Sequence, residues 1–311
     1  MYDTINLRIK KSEANGVNFI NETPRYMNDI GEHNYSGEIV ITGDIEGLKV
    51  CLNSYQLKIK DGSLCKWYLG DNFKTLGRSD TQRAIEKISD LLHLPMEKAV
   101  ITRMDIAQNF IMKYDPIVYI NHLGTLKYAK RLQETNGIYY SYTDGRLCFY
   151  DKNKEQREKR LNIPELYKGR NVLRYEQRYI RRLAKQFRVE AVTGALLYNE
   201  DFYTNIIDKW EKSYFGIQKI NNPIINIKVM KNKKDLYRMG VIALVDLAGG
   251  ETNIIEQINE EQKRGELTNK QAYDLREAVK EACTIKSGLT AQYDDIQELD
   301  RKIKEAVKYY R

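Results

Sequence analysis

Three short runs carry residues whose types and spacing suit phosphodiester chemistry. In Val100 to Phe110, Arg146 to Lys152 and Asn171 to Ile180, apolar and polar residues alternate with the period of two expected of half-buried strands. Taken as strands, they place Arg103, Asp105, Ala107 and Asn109 on one face of the first. Arg146, Cys148, Tyr150 and Lys152 share a face of the second, and Arg174, Glu176 and Arg178 share a face of the third. Met104, Ile106, Leu147, Phe149, Leu173 and Tyr175 fall on the opposite, apolar faces. The set holds a phenol between two cations and two acids beside guanidinium groups. Acids of this kind can hold a divalent cation, the cation polarises a phosphate, and a phenolate attacks it. Each residue alone equally suits the wet face of an amphipathic strand. Tyr140 and Tyr142 are competing phenols, and with Tyr139 they could instead stack on unpaired bases.

The surrounding elements must build the sheet that carries these faces. Asp3 to Lys10 alternates as a first strand, and Lys11 to Ser36 has little period and reads as loop with a short helix. Gly37 to Thr42, Leu48 to Leu52, Gln56 to Lys60 and Ser63 to Gly70 read as strands of a meander, with Asp61-Gly62 as its sharpest hairpin signal. A helix over Gln82 to Leu92, capped by Ser79-Asp80-Thr81, precedes the Asp105 run, and a second helix is expected over Pro116 to Leu132. Ile138 to Tyr142 and the Asp144-Gly145 turn lead into the Tyr150 run as a hairpin. The pattern is α+β: an antiparallel sheet with flanking helices.

Beyond Val189 the texture is mainly helical. Ala191 to Trp210, Leu236 to Leu247, Asn253 to Arg264, Thr268 to Lys286 and Gln292 to Tyr310 read as helices, and Pro223 to Val229 as an extended piece. Ile296, Leu299, Ile303 and Val307 form an apolar seam in the last helix. The expected division is residues 1–190 as the sheet domain and 191–311 as a helical region for DNA recognition, oligomerisation or plain packing.

The chain of 311 residues carries 51 Lys and Arg against 43 Asp and Glu, a formal charge of +8, which favours a polyanionic partner. Basic residues crowd the segment from Lys152 to Arg188, a pattern suited to sequence-independent phosphate contacts. No apolar run is long enough to span a membrane and no amino-terminal signal pattern is present, so a cytoplasmic protein is expected. The four cysteines show no metal-ligand spacing and read as reduced thiols. No Gly-rich nucleotide loop is present.

Arg-Met-Asp-Ile-Ala at 103 to 107, Cys-Phe-Tyr-Asp-Lys-Asn-Lys-Glu-Gln at 148 to 156 and Leu-Arg-Tyr-Glu-Gln-Arg at 173 to 178 occur in the order seen in rolling-circle replication initiators. Over roughly residues 1 to 190 the chain resembles the trans-acting plasmid Rep proteins and the filamentous-phage gene II/X proteins. The opening MYDTINLRI is similar to that of the phage proteins. The resemblance implies a Rep nuclease core that nicks one origin strand through a 5′-phosphotyrosine and rejoins ends. It implies Tyr150 as nucleophile, Lys152 and Lys154 as its catalytic cations, and Asp105 and Glu176 as ligands of Mg2+ or Mn2+. Arg103, Arg146, Arg157, Arg174, Arg178, Arg181 and Arg182 are the expected DNA-binding residues. The partners expected are origin DNA, a host helicase and polymerase, and a second copy as homodimer, in the bacterial cytoplasm. A relaxase-like nickase for a mobile element, or a non-catalytic DNA-binding protein on the same fold, are the alternatives. The His-x-His metal pair of many rolling-circle nucleases is missing; His33, His93 and His122 are scattered.

Overall fold

The computed structural model describes residues 1–60, 62–220, 232–248, 250–289 and 293–311. It divides into two compact units, Met1–Lys219 with Leu299–Arg311, and Ile220–Glu298. Asp61 of the expected hairpin turn, and all of Pro223 to Val229, lie outside the described residues.

The first unit is built on ten antiparallel strands. In chain order its elements are β1 (Tyr2–Lys10), α1 (Phe19–Glu22), β2 (Asn28–Tyr35), β3 (Glu38–Ile45), β4 (Leu48–Leu52), β5 (Gln56–Ile59), α2 (Leu64–Leu69) and α3 (Arg78–Leu92). There follow β6 (Val100–Met112), α4 (Pro116–Asn121), β7 (Lys130–Glu134), β8 (Gly137–Ser141), β9 (Gly145–Asp151), α5 (Lys152–Glu158), β10 (Asn171–Tyr179), α6 (Leu183–Phe187) and α7 (Glu200–Phe215). The spatial order is β2-β3-β4-β5-β1-β6-β10-β9-β8-β7, so the three runs singled out above, β6, β10 and β9, lie side by side at the centre. The α+β architecture is the one expected.

Their backs hold them in register. Phe149 stacks on Tyr175 at 4.3 Å between ring centres, Tyr175 stacks on Trp210 of α7 at 4.6 Å, and all three are buried. The Tyr175 hydroxyl donates to the Trp210 carbonyl at 2.9 Å. With these rings fixed in the core, strand alternation turns Tyr150, Arg174 and Glu176 to the other side. The end of the last helix, residues 299–310, closes the same core through Leu299, Ile303 and Val307, and Asp300 accepts a hydrogen bond from Tyr214 at 2.6 Å.

Several segments fold differently from their sequence pattern. Ser63 to Gly70 is the helix α2: Ser63 accepts from the Lys66 amide at 3.1 Å as N-cap, and Gly70, at φ 86°, ends the helix in the left-handed conformation. Lys11 to Ser36 contains the strand β2, whose mostly exposed polar residues hide its period because it is a sheet edge wet on both faces. The helix from Pro116 stops at Asn121 rather than Leu132. Lys130 to Glu134 instead pairs with β8 across a Thr135-Asn136 turn. Ala191 to Trp210 is not one helix: a short 3-10 turn over Ala195–Tyr198 precedes α7, which Asn199 caps by accepting from the Phe202 amide at 3.0 Å. Lys152 is not in the Tyr150 strand but is the first residue of α5.

The second unit contains α8 (Lys233–Leu247), α9 (Glu251–Lys263) and α10 (Asn269–Leu289), and α11 (Tyr293–Tyr310) begins in it. Its described apolar cluster joins Met239 and Ile242 of α8 to Ala282 of α10. No described helix is long and apolar enough to cross a membrane.

The switch from β9 to α5 rests on Asp151, whose Oδ1 accepts from the Lys154 amide at 2.9 Å. Asp151→Ala is expected to lower unfolding free energy by about 1 kcal/mol in urea titration, the usual cost of a lost N-cap; an unchanged midpoint would refute that role for the cap.

Candidate active site

Register brings the polar faces of the central strands together. Across β10 and β6, Arg178 pairs with Asp105, Glu176 with Ala107 and Arg174 with Asn109; across β10 and β9, Arg174 pairs with Tyr150, Glu176 with Cys148 and Arg178 with Arg146. Over them opens a cavity of about 570 Å³, lined among others by Tyr150, Asp105, Glu176, Arg103 and Arg178.

Each acid is gripped by the arginine two residues away on its own strand. Arg103 donates to both Asp105 oxygens, at 3.0 and 2.6 Å, and Arg178 to both Glu176 oxygens, at 3.0 and 3.3 Å. The Arg178 Nε also lies 4.0 Å from Asp105, tying the two acids into one group. Beneath them Arg174, with 1% of its side chain exposed, pairs with Asp3 at 2.6 Å and approaches Glu176 at 3.6 Å. It also donates to the Asn72 carbonyl at 3.0 Å and to Asn109 Oδ1 at 3.3 Å. Arg174 is thus the floor of the cavity and not its surface.

The Tyr150 hydroxyl donates to Glu176 Oε2 at 3.1 Å. Burial, then the Glu176 charge, pushes its phenol well above the ordinary value, with Arg174 opposing. Burial opposes ionisation of Glu176 as well, but Arg174 and Arg178 outweigh it and hold this carboxyl down to about 2. Asp105 moves the other way: burial is the largest influence, the Glu176 charge adds to it, and Arg103 offsets only part, so its carboxyl is pushed up to about 7. Two acids on one patch are therefore held in opposite protonation preferences.

The other residues picked out by sequence spread around this group. Lys152 lines the cavity but is buried, pairing with Glu155 at 2.8 Å and lying 5.6 Å over the Phe73 ring. Burial, then the Arg174 charge, lowers its pKa. Lys154 stands further out, 4.0 Å from Asp151. Arg146, Arg157, Arg181 and Arg182 are exposed, and Arg182 donates to both oxygens of Asp144 at 2.7 Å. Of the competing phenols, Tyr140 is buried and donates to the Gly124 carbonyl at 2.8 Å, while Tyr142 is outside this cavity. Cys148 is buried beneath the site, and its thiol is pushed up to about 12, first by burial. Asp3, Ser63 and Asn72 were not singled out in the sequence. They come from strands and loops far away in the chain, and Asp3 only reveals its role through Arg174.

The cavity carries seven carboxylates (Asp3, Asp105, Glu134, Asp151, Glu155, Glu158, Glu176) against four cations (Arg103, Lys152, Lys159, Arg178). Among the described residues no group of three or more His, Cys, Asp or Glu is arranged to hold a metal ion. A pair of carboxylates suits a hard cation such as Mg2+, which commonly takes one or two protein acids with water and substrate phosphate for the rest. The acid excess fits such a cation, once Arg103 and Arg178, 34% and 28% exposed, release the carboxylate oxygens they occupy.

Tyr150, Asp105 and Glu176 thus share one cavity on an antiparallel sheet. Residues 1–204 match the family model Phage_CRI, which describes the N-terminal part of the phage replication-associated protein encoded by gene II, and the chain belongs to that family. It is a filamentous-phage gene II-like rolling-circle replication initiator. No curated protein matches the chain.

Removing Arg174 leaves buried Asp3 without its charge partner and takes one of the two flanking arginines from Glu176. Arg174→Met is expected to cost about 3–5 kcal/mol in chemical denaturation, the usual penalty for breaking a buried pair from one side; a cost under about 1 kcal/mol would show that it is not the anchor. The raised Asp105 carboxyl makes the folded chain bind a proton more tightly than the unfolded chain. The contribution is full below the unfolded pKa near 4 and is lost as pH rises through about 7. Stability measured from about pH 4.5 to 7.5 is expected to fall less steeply in Asp105→Asn than in the wild type; parallel profiles would refute the shift.

Proposed function

We propose that the protein nicks one strand of its replication origin, with Tyr150 as nucleophile. The carrying observation is the Tyr150 hydroxyl's hydrogen bond to Glu176 in the cavity that also holds Asp105. The Tyr150 oxygen attacks the scissile phosphorus, the bond from phosphorus to the 3′-oxygen breaks, and a 5′-phosphotyrosyl link and a free 3′-hydroxyl result. The hydrogen bond to Glu176 orients the phenol, its proton passes to water as the bond forms, and the departing 3′-oxygen takes a proton from water. Because burial keeps the phenol protonated, its proton must move as the new bond forms rather than beforehand. Attack of the freed 3′-hydroxyl on the same link reverses the step and rejoins ends.

Asp105 and Glu176 would hold Mg2+ or Mn2+, which supplies Lewis-acid polarisation of the phosphate. Arg103 and Arg178, displaced from the acids, are then free to meet phosphate oxygens and stabilise charge developing on them. The exposed Arg146, Arg157, Arg181 and Arg182 extend phosphate contact along the bound strand, whereas buried Arg174 acts through the acids it supports. Lys152, buried in the cavity wall, and Lys154, further out beside Asp151, balance the phosphate charge. Strand separation and synthesis fall to a host helicase and polymerase in the bacterial cytoplasm, and α8 to α10 of the second unit serve DNA recognition or pairing with a second copy.

The test is covalent capture of single-stranded origin DNA from the same genetic element with Mn2+, read on a denaturing gel. A shifted protein band is expected for the wild type, absent in Tyr150→Phe and in EDTA, and formed about 10²–10³-fold more slowly in Arg178→Ala. An adduct that survives Tyr150→Phe would overturn the assignment of the nucleophile. Tight binding without any adduct would favour a non-catalytic DNA-binding protein.

A further inference from the structure

A second cavity, of about 410 Å³, lies at the Gly145 end of β9 and the Tyr179 end of β10. Its lining includes Tyr128, Tyr142, Gln177, Tyr179 and Arg146, and Arg178 borders both this cavity and the acid-lined one. Two features separate it from an ordinary surface dent.

The first is unmet hydrogen-bonding capacity. The Tyr179 side chain is 3% exposed, yet its hydroxyl makes no hydrogen bond of ordinary geometry, and the buried Oε1 of Gln177 also lacks a partner. Burial pushes the Tyr179 phenol far up, with the adjacent Gln177 side chain opposing. Buried polar groups are almost always paired, so a hydroxyl and an amide left together at a cavity wall call for an outside partner with its own donors and acceptors. The second is aromatic surface without a core function. Tyr128 is 86% exposed with its backbone in the left-handed region at φ 63°, and Tyr142 is 37% exposed. Exposed Arg146 adds positive charge beside them.

We propose that this cavity receives one unpaired base of the DNA strand that passes the acid cavity. The base stacks against tyrosine, its hydrogen-bonding edge meets Gln177 and Tyr179, and Arg146 meets the adjoining phosphate. A planar ring answers the aromatic surface, and a side-chain amide can pair with the edge of a base through one donor and one acceptor. The volume is within the range of small-ligand pockets and holds one base rather than a duplex. This rests on the reading that single-stranded DNA lies in the acid cavity. It adds a place where the protein reads sequence, outside the bonds that are made and broken.

The experiment is fluorescence anisotropy in EDTA, so that nothing is cleaved, with labelled eight-nucleotide dA, dC, dG and dT homopolymers and an abasic octamer of the same phosphate backbone. Wild-type protein is expected to bind at least one homopolymer about tenfold or more tighter than the abasic strand, and to rank the four bases. Gln177→Leu and the isosteric Tyr179→Phe should flatten that ranking, and Tyr142→Ala should weaken every base-bearing strand while leaving the abasic strand unaffected. Thermal melts of the three variants check that the fold survives. Equal binding of abasic and base-bearing strands, or a ranking untouched in folded Gln177→Leu and Tyr179→Phe, would overturn the proposal. The wild-type adduct assay keeps the two readings apart. An adduct without base-dependent binding sinks the pocket alone, and base-dependent binding that these variants abolish, with no adduct, sinks the nicking reading alone.

Discussion

Arg174 is a full positive charge with 1% of its side chain exposed, set where β1, β6 and β10 run side by side. A buried guanidinium is tolerated only when its charge is met: here Asp3 and Glu176 balance the charge, Asp3, Asn109 and the Asn72 carbonyl accept from its two terminal nitrogens, and its Nε lies 3.6 Å from Glu176 without a hydrogen bond. Those partners come from the neighbouring strands and a loop, so satisfying one side chain requires the central strands and the 72 loop to be in place together. The polar side of the sheet is thereby organised from below, as the Phe149, Tyr175 and Trp210 stack organises its apolar side.

The same charge shapes the chemistry above it. Glu176 stays ionised although buried because Arg174 and Arg178 flank it, and an ionised Glu176 is what the Tyr150 hydroxyl can donate to. Asp105, on the neighbouring strand, keeps only partial compensation from Arg103 and sits much higher. A difference of surroundings, rather than of residue type, separates two carboxylates on adjacent strands.

The acids are also fully claimed. Every oxygen of Asp105 and Glu176 accepts from an arginine on its own strand, while the cavity around them is rich in further carboxylates. Under the proposed function a cation would take the place of the guanidinium groups at the acids, and the guanidinium groups would turn to the phosphate. Arg103 and Arg178 are partly exposed at the cavity edge, 34% and 28% of their side chains.

Much of this was legible in the residue order. Alternation in Val100 to Phe110, Arg146 to Lys152 and Asn171 to Ile180 identified three strands and their polar faces, up to one or two residues at their ends, because a strand's two sides are encoded two residues apart. Local patterning failed where a segment's neighbours decide its state. Lys130 to Glu134 is extended because β8 pairs with it, β2 shows no period because it has no buried face, and α2 carried capping residues that its aromatic content masked. Lys152 left the Tyr150 strand because Asp151 caps a helix. Residue order alone was enough to say which side chains share a strand face. It took long-range packing to make β6, β10 and β9 neighbours, to bring Asp3 under Glu176, and to bury Arg174 while leaving Arg178 partly open. Those outcomes depend on pairing and desolvation between segments up to 171 residues apart, which no local periodicity records.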